Sequence, residues 1–206
     1  MIDLYYWGTP NGQKISIALE EMGLAYQIFP INISENDQFQ PDFLKISPNN
    51  KIPAIVDQDG PNQQPISIFE SGAILQYLGR KTGLFYPTNE QKRVEVEQWL
   101  MWQMGGFGPM LGQNHHFSQF AKEKIPYAIE RYVGETKRLY AVLEQQLVGQ
   151  DYVAGEYSIA DMAIFPWILR HEWQSINLDD FPNIKAYAAR IKQRPAVQKA
   201  LAIQLK

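Results

Sequence analysis

The sequence predicts an α/β domain followed by an all-helical one, and three observations carry that reading. Residues 1–80 alternate short β-rich and helix-like pieces, whereas the stretch from about 90 to 206 holds almost only helical periodicity. Charge changes at the same place, with 4 basic and 9 acidic side chains through Arg80 and 15 basic and 13 acidic from Lys81 onward. Between them, Leu84-Phe85-Tyr86-Pro87-Thr88-Asn89-Glu90 combines a proline with turn formers and reads as a linker. The expected boundaries are 1–83 for the first domain, 84–90 for the linker and 91–206 for the helical domain.

Ile2 to Trp7 is rich in strand formers, and Thr9-Pro10-Asn11-Gly12 ends that strand and opens a helix with Ile15, Ala18, Leu19 and Met22 on its apolar stripe. Gly23 closes the helix. Tyr26 to Ile31 forms a second strand, parallel to the first by its short helical crossover, and Pro30, lacking an N–H, assigns it to a sheet edge. Pro41 to Ile46 suits a short helix. Pro53 to Asp57 and Ile66 to Phe69 then pair as a hairpin, and Ser71 to about Lys81 returns to helix, burying Ile74, Leu75 and Leu78. The order βαβαββα is the thioredoxin-like arrangement.

In the second half, a helix from about Gln91 to Met104 is expected to be interrupted by Gly105-Gly106-Phe107-Gly108-Pro109. Further helices fit Ala128 to Leu147, Asn183 to Lys192 and Ala196 to Leu205. Ser158-Ile159-Ala160-Asp161 has the form of a capping box ahead of another.

Composition narrows the chemistry. With 45% hydrophobic and 20% charged residues the chain has globular rather than disordered character, and no apolar run approaches the roughly 20 residues that cross a bilayer. A net charge of -3 lacks the basic excess of a nucleic-acid binder. The N-terminus has no secretory signal pattern, so a cytoplasmic protein is expected. There is no cysteine, which removes disulfides, thiolate metal ligands and a cysteine nucleophile together. His115, His116 and His171 lack metal-site spacing and carboxylate partners, so no metal is expected.

Asn50-Lys51-Ile52-Pro53-Ala54-Ile55, Glu70-Ser71-Gly72-Ala73-Ile74-Leu75 and Ser158-Ile159-Ala160-Asp161 resemble motifs of the glutathione transferases, and the resemblance covers nearly the whole chain. Thr9-Pro10-Asn11-Gly12, Ser47 to Pro53 and Gly112 to Phe117 are similar to the bacterial Nu class, the glutathione-dependent disulfide-bond reductases. Yeast's prion-forming nitrogen regulator belongs to a similar branch, and with the strand-forming stretch starting at Ile2 a comparable prion-like tail is not expected.

The resemblance implies a cis Ile52-Pro53 bond that turns the Ile52 backbone toward the cysteinyl backbone of glutathione, as an added strand would. It makes Ser71 a donor to the γ-glutamyl carboxylate, Glu70 a partner of the ammonium, and Gln38 a further polar ligand. Read in isolation, Ser71 is an ordinary helix cap and Gln38 a loop glutamine. Thr9 and Asn11 occupy the turn that carries redox cysteines in thioredoxin relatives, and the resemblance implies that they favour a bound thiolate; alone they form a capped strand-to-helix turn. Arg131, otherwise a solvated helix residue, resembles an arginine that reaches the glutathione carboxylate. Tyr5, Tyr6 and Trp7 are read as strand packing, with Tyr6 on the face of Ile2 and Leu4, and neither His115 nor His116 as a general base. Asp161 is assigned to folding.

The expected activity is reduction of disulfides, and of organic hydroperoxides, by bound glutathione, in a homodimer. The alternatives are conjugation of glutathione to electrophiles and a non-catalytic glutathione-binding regulator.

Overall fold

The structure, a computed structural model, describes residues 1–205. It divides into two compact units, residues 1–84 with 194–206 and residues 85–193.

The first unit is built on a four-stranded mixed sheet in the order β2-β1-β3-β4, with β1 Ile2–Tyr6, β2 Tyr26–Pro30, β3 Ala54–Asp57 and β4 Ile66–Phe69. β2 runs parallel to β1, while β3 is antiparallel to both β1 and β4. Pro30 lies on the edge strand, where its missing N–H interrupts no central ladder. Helix α1 (Pro10–Glu21) buries Ile15, Ala18, Leu19 and Met22 as its apolar spacing requires, and Gly23 leaves the helix at φ 64. Helix α2 spans Pro41–Ile46 and α3 spans Ser71–Thr82, with Ile74, Leu75 and Leu78 fully buried. Ile2, Leu4 and Tyr6 face one side of β1 and are buried. On the other side Tyr5 stacks on Phe29 at 5.2 Å and meets Phe43, over a small core of Ile31, Phe43 and Ala54. The strand aromatics are packing groups, as their alternation predicts.

The second unit contains α4 (Glu90–Trp102), α5 (Gly108–His115), α6 (Pro126–Gln146), α7 (Ile159–Ile168) and α8 (Pro182–Lys192). The expected interruption at Gly105 to Pro109 does not occur. Gln103–Phe107 forms a π-helical turn that stays in right-handed helical backbone and runs directly into α5. The wider turn relieves the clash between a proline ring and the carbonyl one turn earlier, so Pro109 is accommodated without breaking the path. A second π-helical turn, His116–Phe120, follows α5.

The last helix, α9 (Pro195–Leu201), is shorter than the sequence suggests and belongs to the first compact unit, so that unit takes in residues 194–206 that the expected 91–206 boundary gives to the helical domain. Arg194 holds Glu21 with two hydrogen bonds, at 2.5 and 2.8 Å, and Lys199 pairs with Glu20 at 2.7 Å. Val197 and Ala200 are buried.

Carboxylates organise the second unit. Glu144 of α6 accepts from the backbone N–H groups of Asn183 and Ile184 and from the Asn183 side chain, so it caps α8 from outside. Asp161 is fully buried and accepts from Val153 N, Ser158 N, Ser158 Oγ and Tyr187 Oη at 2.8–3.1 Å. Burial pushes its carboxyl up to about 6 against those four donors. The capping box is formed, but Asp161 also ties in the preceding loop and α8.

Removing this carboxylate strands several buried donors at once. Asp161→Ala is therefore expected to lose about 3–5 kcal/mol in urea denaturation, well beyond the roughly 1 kcal/mol typical of an isolated cap. A loss no larger than that of Ser158→Ala would refute the wider role.

Candidate functional site

The sheet register brings the sequence-predicted residues of the first unit to one end. Tyr5 pairs with Ala54, Ala54 with Phe69, and Tyr6 with Pro30. The end of β1, the start of β3 and the ends of β4 and β2 therefore share one edge, and the segments beyond them carry Thr9 and Asn11, Ile52, Glu70 and Ser71, and Gln38.

Thr9 caps α1 in extended backbone, its Oγ1 accepting from Gly12 N at 3.3 Å. Gly12 is required there: a Cβ would fall 2.2 Å from the Trp7 carbonyl oxygen and about 3.0 Å from the Tyr6 ring. The first turn of α1 thus rests directly on the end of β1, and Thr9 and Asn11 are half-buried beside it.

The Ile52-Pro53 bond is cis, with Pro53 buried and Ser47 Oγ donating to the Lys51 carbonyl at 2.8 Å in the preceding loop. Ile52 stands ahead of the first β3 residue that pairs with a neighbour, so its backbone is outside the sheet ladders.

Glu70 occupies φ 68, ψ 114 at the head of α3, a region that costs a non-glycine residue of order 1–3 kcal/mol. This conformation turns the chain sharply from β4 into α3, leaving Glu70 exposed and Ser71 buried in the first helical turn. Gln38 sits in a short 3₁₀ turn (Asp37–Phe39), where its Nε2 donates to the Ile33 carbonyl at 3.5 Å while its Oε1 is buried and accepts no protein hydrogen bond. An unsatisfied buried acceptor is costly unless something else donates to it.

Lys14 is a neighbour that sequence reading missed. It is 1% exposed, and its Nζ donates to Ser71 Oγ at 3.3 Å. The available signal was a lysine directly ahead of the mostly apolar stretch Ile15-Ser16-Ile17-Ala18-Leu19 of α1, one turn after Pro10.

Arg131 lies in the second unit, exposed on α6, with no ion-pair partner among the described residues. It borders a hollow of about 340 Å³ with Met110, Tyr132 and Glu135, and with Arg138 it helps hold the Glu135 carboxyl below its usual range. His115 is buried between Trp167 and Trp173, where desolvation and Arg170 bring its pKa down to about 4; it is neutral packing rather than a neutral-pH base. His116 is exposed, edge-on to Phe117. Among the described residues no cluster of three metal-ligating side chains exists, and no helix is long and apolar enough to cross a membrane.

The sequence matches the family described as Glutathione S-transferase, N-terminal domain, over residues 2–80 and its counterpart, Glutathione S-transferase, C-terminal domain, over residues 110–195. The chain is 52% identical to the disulfide-bond oxidoreductase YfcG of Escherichia coli, across 98% of this chain and 94% of that protein. A glutathione transferase from Pseudomonas putida, solved with one glutathione disulfide bound per subunit, superposes with a TM-score of 0.94 at 46% identity, covering 98% of this chain and 91% of that one. A family member from Pseudomonas fluorescens, solved with two glutathione bound, has the same TM-score and identity over 98% and 93%. These matches, with the sheet register that gathers the expected residues, establish that the chain belongs to the glutathione S-transferase family.

Proposed function

We propose that this protein is a glutathione-dependent disulfide-bond oxidoreductase of the Nu-class type, acting as a homodimer in the cytoplasm. The observation that carries the reading is the set of polar groups at one sheet end in a chain whose 206 residues include no cysteine. Its likeness to YfcG supports the reaction, and the glutathione and glutathione disulfide in similar structures support the ligand.

The residues fit glutathione. Gln38 Oε1 is a buried acceptor without a protein donor, and the Ile52 backbone lies outside the ladders, suited to pair with a peptide as an extra strand would. Ser71, in the first turn of α3, and Glu70 beside it present a donor and a carboxylate to the two charges of a γ-glutamyl group. Thr9 Oγ1 already accepts from Gly12, so its hydroxyl hydrogen is directed elsewhere; with the Asn11 amide it is suited to donate to a thiolate. Such donors lower a thiol's pKa by stabilising its charged form. Arg131 joins the proposal as a carboxylate ligand on family resemblance.

Glutathione supplies the electrons. One thiolate displaces a thiolate from the substrate disulfide, giving a mixed disulfide; a second displaces the remaining substrate thiolate, giving glutathione disulfide and two substrate thiols after protonation. The chain cannot form the mixed disulfide itself, so its part is to lower the thiol pKa and orient the attack. The same thiolate supports hydroperoxide reduction or conjugation as side activities.

With hydroxyethyl disulfide, glutathione, glutathione reductase and NADPH, wild type is expected to turn over, and Asn11→Ala to lose about 10- to 100-fold in kcat/KM, the size of one charge-assisted hydrogen bond. Arg131→Ala is expected to raise the KM for glutathione with kcat little changed. Wild-type binding without turnover, or thioether formation from an aryl halide as the main reaction, would reject the reductase reading. Light scattering at assay concentration is expected to give twice the 23.7 kDa chain mass; a fully active monomer would reject the dimer.

A further inference from the structure

The proposed glutathione site contains a buried lysine that none of the predicted contacts uses. Lys14 projects from the second turn of α1 to the first turn of α3, 57 residues away in sequence, and its Nζ lies 3.3 Å from Ser71 Oγ. When Lys14 is protonated its ammonium has donors and no acceptor, so Ser71 Oγ is then the acceptor in this pair and its own hydrogen is directed away from Nζ.

We propose that Lys14 is a positioning residue for the γ-glutamyl carboxylate of glutathione, orienting and polarising the Ser71 hydroxyl so that it donates to the carboxylate, with a proton taken up by Lys14 on binding. This rests on the reading of the site given above. Lys14 acts through Ser71 and through its charge.

The proton uptake follows from the surroundings. Burial brings the Lys14 pKa down to about 7, with Glu70 opposing the shift. Glu70 is the charged group facing it from the head of α3. The other charges on α1, Glu20 and Glu21, lie at its far end and are engaged by Lys199 of α9 and by Arg194 just ahead of it. On β1, Asp3 accepts from Gln58 at the opposite end of the sheet, while Tyr6 packs its ring beside Gly12. A carboxylate arriving at Ser71 adds negative charge near Nζ and favours the protonated form. Above pH 7, where the lysine is largely neutral in the free protein, binding therefore draws in a proton, and affinity falls as pH rises.

The test is isothermal titration of S-methylglutathione, whose blocked thiol cannot titrate, into the full chain between pH 6.5 and 8 in buffers of differing ionisation enthalpy. Wild type is expected to take up a fraction of a proton near pH 8 and to bind several-fold more weakly there than at pH 6.5, with a limiting slope of about tenfold per pH unit. Lys14→Met, similar in length and suited to a buried position, is expected to bind at least about tenfold more weakly at pH 6.5, the size of one charged hydrogen bond, with no proton uptake and a flat profile. Ser71→Ala is expected to abolish the uptake while keeping the lysine. Wild-type binding without proton uptake overturns the inference even if Lys14→Met fails to fold, as does a folded Lys14→Met with wild-type affinity or an unchanged pH profile. Absence of wild-type binding at any pH instead overturns the glutathione reading itself.

Discussion

β1 is an interior strand of a mixed sheet, parallel to β2 and antiparallel to β3, and the candidate site depends on that pairing. Because β3 reverses direction, the loop before it emerges beside the turn that follows β1; because β4 reverses again, its exit into α3 emerges there too. Three segments that the chain visits far apart are thereby brought to one edge. A one-residue slip would turn each strand's buried face to the opposite side, and the fully buried Leu4, Ala54 and Ile55 hold the register. Each loop then carries its polar groups on a rigid support, which is what orienting a small peptide requires.

The local backbone is shaped to the same end. Gly12 lets α1 start in contact with the end of β1, and Glu70 tolerates a left-handed φ so that α3 can start immediately after β4. Both turns start a helix at the same sheet edge, where the partial positive charge of a helix N-terminus favours anions. The absence of cysteine gives the proposed site its chemical meaning: Thr9 and Asn11, side chains able to donate hydrogen bonds, stand in the turn where thioredoxin relatives carry a thiol.

Buried charge has different uses in the two units. In the second, Asp161 and Glu144 accept backbone donors and secure helix starts, and His115 is held neutral between tryptophans. Such groups organise the fold. Lys14 has comparable burial, but it reaches a serine at the head of a helix beside a carboxylate. A buried ionisable group of shifted pKa among the polar residues of a candidate site is the kind of perturbed residue that accompanies function.

Local sequence determined much of this protein. The alternation in Ile2 to Tyr6, the stripe from Ile15 to Met22, the edge proline Pro30 and the Ser158 to Asp161 capping box all act over a few residues, and each element forms where its pattern lies. The candidate residues Thr9, Asn11, Gln38, Ile52, Glu70 and Ser71 were also legible, as motifs of the family. What only the tertiary structure decided is long-range. The π-helical turn absorbs Pro109 because the helix continues on both sides, whereas a local reading sees only glycines and a proline. The return of α9 to α1 joins Arg194 to Glu21 across 173 residues, and the meeting of Lys14 with Ser71 joins two helices through the sheet register. Periodicity records which face of an element is buried, but not which partner covers it, so a buried lysine and its serine are invisible until the strands are paired.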